Sequence, residues 1–262
     1  MDRLFNIAFV RPPSDSYRKC VSSNPRIVEI DMSLAKDQHR QYCSILKESG
    51  IEIIELQPLE GFPDSVFMQD PALLGSGRAV IGRFGEPSRR GEEKALIDAL
   101  RRYGDRVGKL INIIEPGTLE GGDIVVTDAG LFVGESKRTN AEGIQQLSSI
   151  LSEVSVNGVK TPLFHLLCGC AYLSKKTMII APDLIDPESF PGFKFVTVPK
   201  EESYATDALY LGEGRVLIPA GFAKTAAKLK QAGYRPVEVE MSEFWKGDGG
   251  VTCLSSPVYN NL

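Results

Sequence analysis

The sequence predicts an α/β fold of five ββαβ units that close into a ring. Three observations lead to this prediction: a short apolar hairpin occurs four times, most hairpins are followed by an amphipathic stretch and one more strand, and the chain begins with a strand that has no hairpin partner. Divided by five, the 262 residues give units of about 52 residues. No linker separates the units, so we expect one domain over residues 1–262.

The four hairpins are the clearest part of the repeat. In each one, two short apolar runs flank a few turn-forming residues, a pattern typical of paired antiparallel strands. The predicted hairpins cover Ala72–Phe84, with a Gly75-Ser76-Gly77 turn, Asp123–Gly134, Cys170–Ala181 and Asp207–Pro219.

A helix and a closing strand follow most hairpins. Ala, Leu and Ile at i, i+3 and i+4 predict helices over Gly91–Tyr103, Asn140–Leu151 and Phe222–Gln231, with strands near residues 110–114, 154–156 and 234–239. In the third unit, prolines interrupt a short helix over Pro187–Pro191, and the closing strand is predicted at Phe195–Val198.

The first unit starts with only one strand. We predict strands at Phe5–Val10 and Ile51–Leu56 and a helix at Leu34–Ser49. The last strand, Val251–Val258, would supply the missing partner, so the first and last strands would pair and close the ring.

Composition excludes several classes of protein. The chain is 42% hydrophobic and 24% charged, with a net charge of −4 and scattered Lys and Arg, which argues against disorder and against a nucleic-acid partner. No apolar run reaches the roughly 20 residues that span a bilayer. Five cysteines, an odd number, do not indicate a disulfide framework. We therefore expect a soluble cytoplasmic protein that binds neither nucleic acid nor membrane.

Reactive side chains recur near the first strand of each hairpin. In a ring of similar units, equivalent positions converge on one central pocket. A cysteine thiolate is a nucleophile, a histidine can exchange protons near neutral pH, and a glutamate can orient that histidine. Additional carboxylates would suit a cationic substrate. The residues in question are Asp70, Glu120, Asp123, His165, Asp207 and Cys253.

Six motifs in order give the chain a family resemblance. FPDSVFMQDPAL, EPSRR, TLEGGD, ESKRTN, LFHL and KGDGGVTC resemble the dimethylarginine dimethylaminohydrolases, which belong with the arginine deiminases to the guanidine-modifying pentein superfamily. The resemblance extends from about Val10 to Cys253. It implies a five-bladed ββαβ propeller, the pentein fold, with pseudo-fivefold symmetry, in agreement with the repeat.

The resemblance also implies catalytic roles. Cys253 would attack the guanidinium carbon, and His165, oriented by Glu120, would protonate the departing amine and then activate water. No metal or organic cofactor is implied. The segment from Pro12 to Pro25 would be a flexible lid over the site.

The substrate-binding roles follow from the same resemblance. Asp70, with Asp248, would hold the guanidinium, and Asp64 would bind the α-ammonium. Arg89 and Arg138 would clamp the substrate carboxylate. Gln69 departs from the family pattern, which usually has a carboxylate there. We expect this loss of charge beside Asp70 to favour methylated substrates over arginine.

Structural interpretations of the same residues stay open. Cys253 and His165 could be core residues, the Gly-Gly of the TLEGGD motif could serve only a turn, and the arginines could be solvated. His165 with Cys168 and Cys170 suggests zinc, but a fourth ligand is lacking. A structural role is expected for Asp207. His39 is expected on a solvated helix face.

The predicted function is hydrolysis of methylated arginine to citrulline and an alkylamine through a covalent cysteine thiouronium intermediate. Two alternatives remain: an arginine deiminase, which releases ammonia, and a non-catalytic pentein that binds a partner. The combined presence of nucleophile, acid-base and arginine residues argues against a binding protein. We expect a small cationic partner and a monomer or homodimer.

Overall fold

The computed structural model describes residues 3–75, 77–260 and 262, so the predicted turn residue Ser76 lies outside it. Fifteen strands occur in this part of the chain: β1 Phe5–Val10, β2 Glu52–Glu55, β3 Ala72–Gly75, β4 Arg78–Ile81, β5 Lys109–Asn112, β6 Ile124–Thr127, β7 Gly130–Glu135, β8 Val156–Lys160, β9 Cys170–Ser174, β10 Thr177–Ile180, β11 Lys194–Thr197, β12 Leu209–Gly212, β13 Arg215–Pro219, β14 Arg235–Val239 and β15 Ser255–Tyr259. The α-helices are α1 Met32–Glu48, α2 Glu92–Arg102, α3 Gly104–Val107, α4 Ala141–Ile150, α5 Ala223–Gln231 and α6 Ser242–Trp245.

The predicted α/β unit is confirmed. In β6–β8, β9–β11 and β12–β14, two antiparallel strands form a hairpin and a third strand pairs in parallel with its second member. Strands β3, β4 and β5 have the same arrangement. The hairpins begin within three residues of their predicted starts because apolar runs around turn residues specify them locally.

The first and last strands pair, as predicted. β1 lies antiparallel to β15, with Phe9 opposite Ser256, and parallel to β2. β15 also pairs with β3, which joins two units into one six-stranded sheet in the order β2-β1-β15-β3-β4-β5. The other three sheets of the described chain are separate, so their backbone hydrogen bonds do not close a ring.

The last strand is shorter than predicted, and this positions the site. β15 begins at Ser255, whereas residues 251–254 form a turn. The backbone amide of Thr252 donates to the Asp207 carboxylate at 2.7 Å instead of to a neighbouring strand. Cys253 therefore lies on a turn before the strand.

Two further expectations are corrected. In the third unit the predicted helix is a single 3-10 turn, Pro187–Ser189, because proline removes backbone donors. His39 is buried rather than solvated, with 2% of its surface exposed, and burial lowers its pKa to about 4. It shares the inner face of α1 with Tyr42 and Leu46.

Apolar side chains of the strands form the core, and polar side chains gather in the loops before β3, β6, β9, β12 and β15. Of the helices described, none is long and apolar enough to cross a membrane.

Candidate active site

Most of the predicted site residues line one small pocket. The loops before β3, β9 and β15 supply Asp70, His165 and Cys253, so the expectation that equivalent positions converge agrees with this geometry. The pocket is lined by Val21, Asp64, Phe67, Asp70, Arg89, Phe164, His165, Cys168, Gly247, Asp248, Gly249 and Cys253.

The Cys253 thiol lies against a carboxylate. Its Sγ donates to Asp207 Oδ2 at 3.8 Å, while Asp207 Oδ1 accepts the Thr252 amide. Burial raises the pKa of the Cys253 thiol well above its usual value, and the charges of Asp207 and Asp70 raise it further. The sulfur is therefore a neutral thiol at pH 7 when the pocket holds no cation.

His165 and Glu120 form a buried pair. His165 Nε2 lies 2.8 Å from Glu120 Oε2, and Glu120 is fully buried. Burial alone would lower the pKa of His165, but Asp70, the hydrogen bond to Glu120 and Asp123 together raise it to about 9. The paired His165 and the nearby arginines in turn hold the pKa of Glu120 well below its usual value, against the effect of burial. The imidazole is therefore protonated at pH 7.

The glycines after Glu120 allow this approach. A Cβ at Gly122 would lie 2.5 Å from His165 Nδ1 and 2.7 Å from Asp70 Oδ1. A Cβ at Gly121 would lie 2.0 Å from the Gln69 carbonyl oxygen. Only glycine leaves room for these contacts, so the Gly-Gly pair serves the packing of the site as well as a turn.

Asp70 has one occupied and one open carboxylate oxygen. Oδ2 accepts from Arg89 Nη1 at 2.6 Å. Oδ1 is buried, has no hydrogen-bond donor among the described residues, and faces His165 Nδ1 at 3.7 Å. A buried carboxylate oxygen without a donor is costly, so this atom is a place for a ligand N–H group.

Arg89 differs from its predicted role as a carboxylate clamp. Its guanidinium is bound on several sides: Nη1 donates to Asp70, Nε and Nη2 donate to Glu92, and Nη2 also donates to the Asp64 carbonyl at 3.3 Å. Its side chain is only 2% exposed. The structure thus uses Arg89 to hold Asp70, because three oxygen-bearing groups compete for its donors.

Arg138 is less fully bound. Its guanidinium lies 4.1 Å above the Phe164 ring, and Nη1 lies 3.5 Å from Glu120 Oε1. Nη1 is nevertheless buried without a hydrogen bond to any described group. Arg138 therefore retains a donor for an anionic group.

The segment that was predicted to be a lid packs against the pocket, which Val21 helps to line. Tyr17 is buried between Phe67 and Phe244. Both Asp64 carboxylate oxygens accept the Val21 amide, at 3.1 and 3.2 Å, and burial raises the pKa of Asp64.

Asp248 holds the next part of this segment. Its Oδ2 accepts from the Ser22 hydroxyl at 2.9 Å and from the Ser23 amide at 2.7 Å. Asp64 and Asp248, both expected to bind substrate, thus bind residues of this segment in the structure.

Gln69 lies outside the pocket, which corrects its predicted place beside the substrate. Its side chain donates to the Gly121 carbonyl at 3.2 Å and borders a separate internal cavity with Thr252 and Tyr259. Because Gln69 and Asp70 are consecutive residues, their side chains leave the backbone in different directions. This position gives no geometric support to the expectation that Gln69 changes the charge beside the substrate.

Asp70, Glu120 and His165 could hold a metal ion, since one ligand atom from each lies within 4.8 Å of the others. Glu120 is hydrogen-bonded to His165, and Asp70 Oδ2 is paired with Arg89, so Asp70 Oδ1 is the one oxygen of these two pairs that remains open among the described residues.

Three residues at the site had no predicted catalytic or substrate-binding role. Glu92 pairs with Arg89, Asp207 contacts Cys253, and Cys168 lines the pocket. The signal for Glu92 is its i, i+3 spacing from Arg89 at a helix start. The signal for Asp207 is its position at the start of a hairpin, which Asp123 shares. Asp123 accepts a hydrogen bond from the amide of Leu166, the residue after His165.

Comparisons with known proteins agree with the motif-based prediction. The family model for eukaryotic N,N dimethylarginine dimethylhydrolase matches residues 11–260. An N(G),N(G)-dimethylarginine dimethylaminohydrolase of Pseudomonas aeruginosa is 38% identical over 255 residues, covering 96% of this chain and 99% of that protein. An uncharacterized protein of Aeropyrum pernix is 44% identical over 268 residues, covering all of this chain and 98% of that protein.

Solved structures give the same result. The Pseudomonas aeruginosa enzyme, a cysteine-to-serine mutant complexed with citrulline, matches with a TM-score of 0.91 and 36% identity over 97% of this chain and 100% of that one. The N-terminal domain of ArgZ, a cyanobacterial arginine dihydrolase, has a TM-score of 0.87 at 20% identity over 97% of this chain and 98% of that one, and so shares the fold. The chain belongs to the N,N-dimethylarginine dimethylhydrolase family.

Proposed function

We propose that this protein hydrolyses the guanidine C–N bond of methylated L-arginine, asymmetric dimethylarginine or monomethylarginine, and releases citrulline and an alkylamine. The observation that carries the proposal is the convergence of a thiol, a protonated His–Glu pair and a carboxylate with an open oxygen in one pocket. Relatives named for this reaction support it.

The substrate cation would activate the nucleophile. A guanidinium on Asp70 Oδ1 would satisfy that oxygen and place a positive charge close to Cys253. Nearby positive charge lowers a thiol pKa, so the thiolate would form when substrate binds. Its attack on the guanidinium carbon would give a tetrahedral adduct, and loss of the amine would leave a covalent S-alkylthiouronium on Cys253.

His165 would act first as an acid and then as a base. With its pKa near 9, the imidazolium has a proton for the departing alkylamine at pH 7. The neutral imidazole could then take a proton from the water that attacks the thiouronium. Glu120, at 2.8 Å, would hold the ring and favour its charged form.

The two ends of an amino acid fit the remaining groups. Arg138, with its unused Nη1 donor, is the stronger candidate for the substrate carboxylate, and Arg89 would act by holding Asp70. Asp64 and Asp248 would exchange their lid contacts for the α-ammonium and the guanidinium when the lid opens and closes again.

We propose that the wider architecture is that of the family: one domain whose five units surround a pseudo-fivefold axis, with the pocket at one end of that axis. The pairing of β1 with β15 and the likeness to the ArgZ domain support this arrangement.

The test is citrulline formation from arginine, monomethylarginine and asymmetric dimethylarginine at equal concentrations. We expect both methylated substrates to have the higher kcat/KM. Cys253→Ser should lose all turnover, whereas Cys43→Ser, a matched change at a cysteine in the core, should keep it. Arginine hydrolysed at least ten times more efficiently than either methylated form would make the protein a deiminase. Absence of citrulline from all three would refute the proposal.

A further inference from the structure

Asp207 is a hydrogen-bond partner of the Cys253 sulfur. Within residues 3–75, 77–260 and 262, the Cys253 thiol has a hydrogen-bond acceptor in Asp207 Oδ2, at 3.8 Å. The other oxygen of the same carboxylate binds the Thr252 amide at 2.7 Å, which fixes the turn that carries Cys253. Asp207 is 5% exposed, so bulk water does not compete for these contacts.

The histidine is turned toward other groups. Nε2 of His165 faces Glu120 at 2.8 Å and Nδ1 faces Asp70 Oδ1 at 3.7 Å. Because both ring nitrogens face carboxylates and the ring is already protonated at pH 7, His165 has no free lone pair for the thiol proton. In the described part of the chain, Asp207 is a side chain that already accepts a hydrogen bond from this thiol.

We propose that Asp207 is a catalytic residue that accepts the proton of Cys253. This inference rests on the proposed function. When the guanidinium occupies the pocket, the S–H bond breaks, its proton bonds to Asp207 Oδ2, and the electron pair stays on Sγ. That pair then forms the S–C bond to the guanidinium carbon. Hydrolysis of the thiouronium breaks the S–C bond and returns the electron pair to Sγ. Asp207 Oδ2 then gives its proton back to Sγ, which restores the thiol, and the extra proton on the new product carbonyl passes to solvent.

The charges around the thiol support a transfer that depends on substrate. Burial raises the pKa of Asp207 to about 6, closer to that of a thiol than an ordinary aspartate would be. The ionised carboxylate opposes the thiolate until a cation offsets it. The titratable and charged groups around the sulfur include Tyr17, Tyr42, Asp64, Asp70, Arg89, His165, Cys168, Tyr204, Asp207 and Asp248.

The backbone is shaped to admit this carboxylate. A Cβ at Gly250 would lie 2.0 Å from Asp207 Oδ2 and 2.2 Å from its Cγ. Glycine at this position of the KGDGGVTC motif therefore allows Asp207 to reach the sulfur. The same contact leaves little space for the longer side chain of glutamate, so the neutral isostere asparagine is the suitable probe.

The test measures turnover and thiol reactivity in Asp207→Asn. Asparagine keeps an oxygen for the Thr252 amide but loses the charge and the ability to take a proton. We expect kcat for the methylated substrate to fall about 10²-fold, the usual range for general acid-base catalysis. Alkylation of Cys253 by iodoacetamide without substrate, followed by mass spectrometry at pH 7.5, should become about tenfold faster, because losing a neighbouring anion lowers the thiol pKa.

Opposite changes in the two measurements distinguish proton transfer from a structural role. A turnover within twofold of the wild type would overturn the proposal, as would alkylation that slows or stays the same. Glu243→Gln is the matched control, since Glu243 is also a buried carboxylate that accepts a backbone amide, that of Asp31, but has no hydrogen bond to Cys253 in the described part of the chain; its alkylation rate should equal that of the wild type. If Asp207→Asn does not fold, Asp207→Ser supplies a smaller neutral acceptor with the same expected outcomes.

The turnover and alkylation measurements also distinguish a failure of the role of Asp207 from a failure of the proposed function. Alkylation needs no substrate, so it reports the coupling of Asp207 to Cys253 by itself. A wild type that forms no citrulline would refute the proposed function and, with it, the catalytic role of Asp207, even if alkylation of Asp207→Asn were faster.

Discussion

Glu120→Gln should shift the pH range in which the enzyme is active. Glu120 is fully buried and holds His165 Nε2 at 2.8 Å, and glutamine of the same size removes its negative charge. A hydrogen bond to a charged group contributes about 1.5–3 kcal/mol. Since one pKa unit equals about 1.4 kcal/mol, the pKa of His165 should fall by about 1 to 2. It would move from about 9 to about 7 or 8.

The direction in which the pH dependence of kcat shifts follows from the role of the protonated ring. A raised histidine pKa means that the charged form persists up to about pH 9, so the alkaline limb of kcat should lie there in the wild type. In Glu120→Gln the alkaline limb should move down to about pH 7 or 8. The loss of activity would therefore be greatest above pH 8.

The assay is the pH dependence of kcat, combined with an NMR titration of the His165 ring. Glu86→Gln is the matched control, because Glu86 lies near Arg138 but is partly exposed and does not contact His165. Its alkaline limb should stay in place. An unmoved limb in Glu120→Gln, with an unmoved His165 titration, would refute the assignment of the raised pKa to this pair.

Two further predictions concern residues around the pocket. Gln69→Glu should lower the free energy of unfolding by at least about 2 kcal/mol, because it buries a charge and loses a donated hydrogen bond. Denaturant titration measures this loss, and the same change at the exposed Gln57 should have little effect. A better KM for Gln69→Glu with unchanged stability would contradict the observed geometry. Replacing both Ser22 and Ser23 with Ala removes two hydroxyl donors to Asp248, so amide hydrogen exchange over residues 21–24 should become faster. Unchanged exchange would show that these hydrogen bonds do not hold the lid.

The hairpins and the convergence of reactive residues could be predicted because local patterns specify them. Runs such as those of β6 and β7 alternate with turn residues, and the repeat then places Asp70, His165 and Cys253 at equivalent positions. The start of the last strand was harder to predict, because a long-range hydrogen bond from the Thr252 amide to Asp207 replaces strand pairing there.

Side-chain partners depended on contacts that sequence spacing does not encode. Arg89 could be placed at the pocket, but its pairing with Asp70, 19 residues earlier, depends on how two loops meet. Gln69 faces another cavity although it precedes Asp70, and His39 is buried because its helix face packs inward. A family pattern marks which residues matter, whereas tertiary packing decides which atoms they meet.

Cys253 is expected to form a covalent bond to the guanidine carbon of its substrate. Rapid acid quenching of the wild-type protein during turnover of asymmetric dimethylarginine, followed by intact-mass and peptide mass spectrometry, tests it directly. We predict a substrate-derived adduct on the peptide that contains Cys253, absent from Cys253→Ser and lost once substrate is consumed. Citrulline formation without any adduct, or an adduct on Cys168 instead, would show that Cys253 is not the nucleophile.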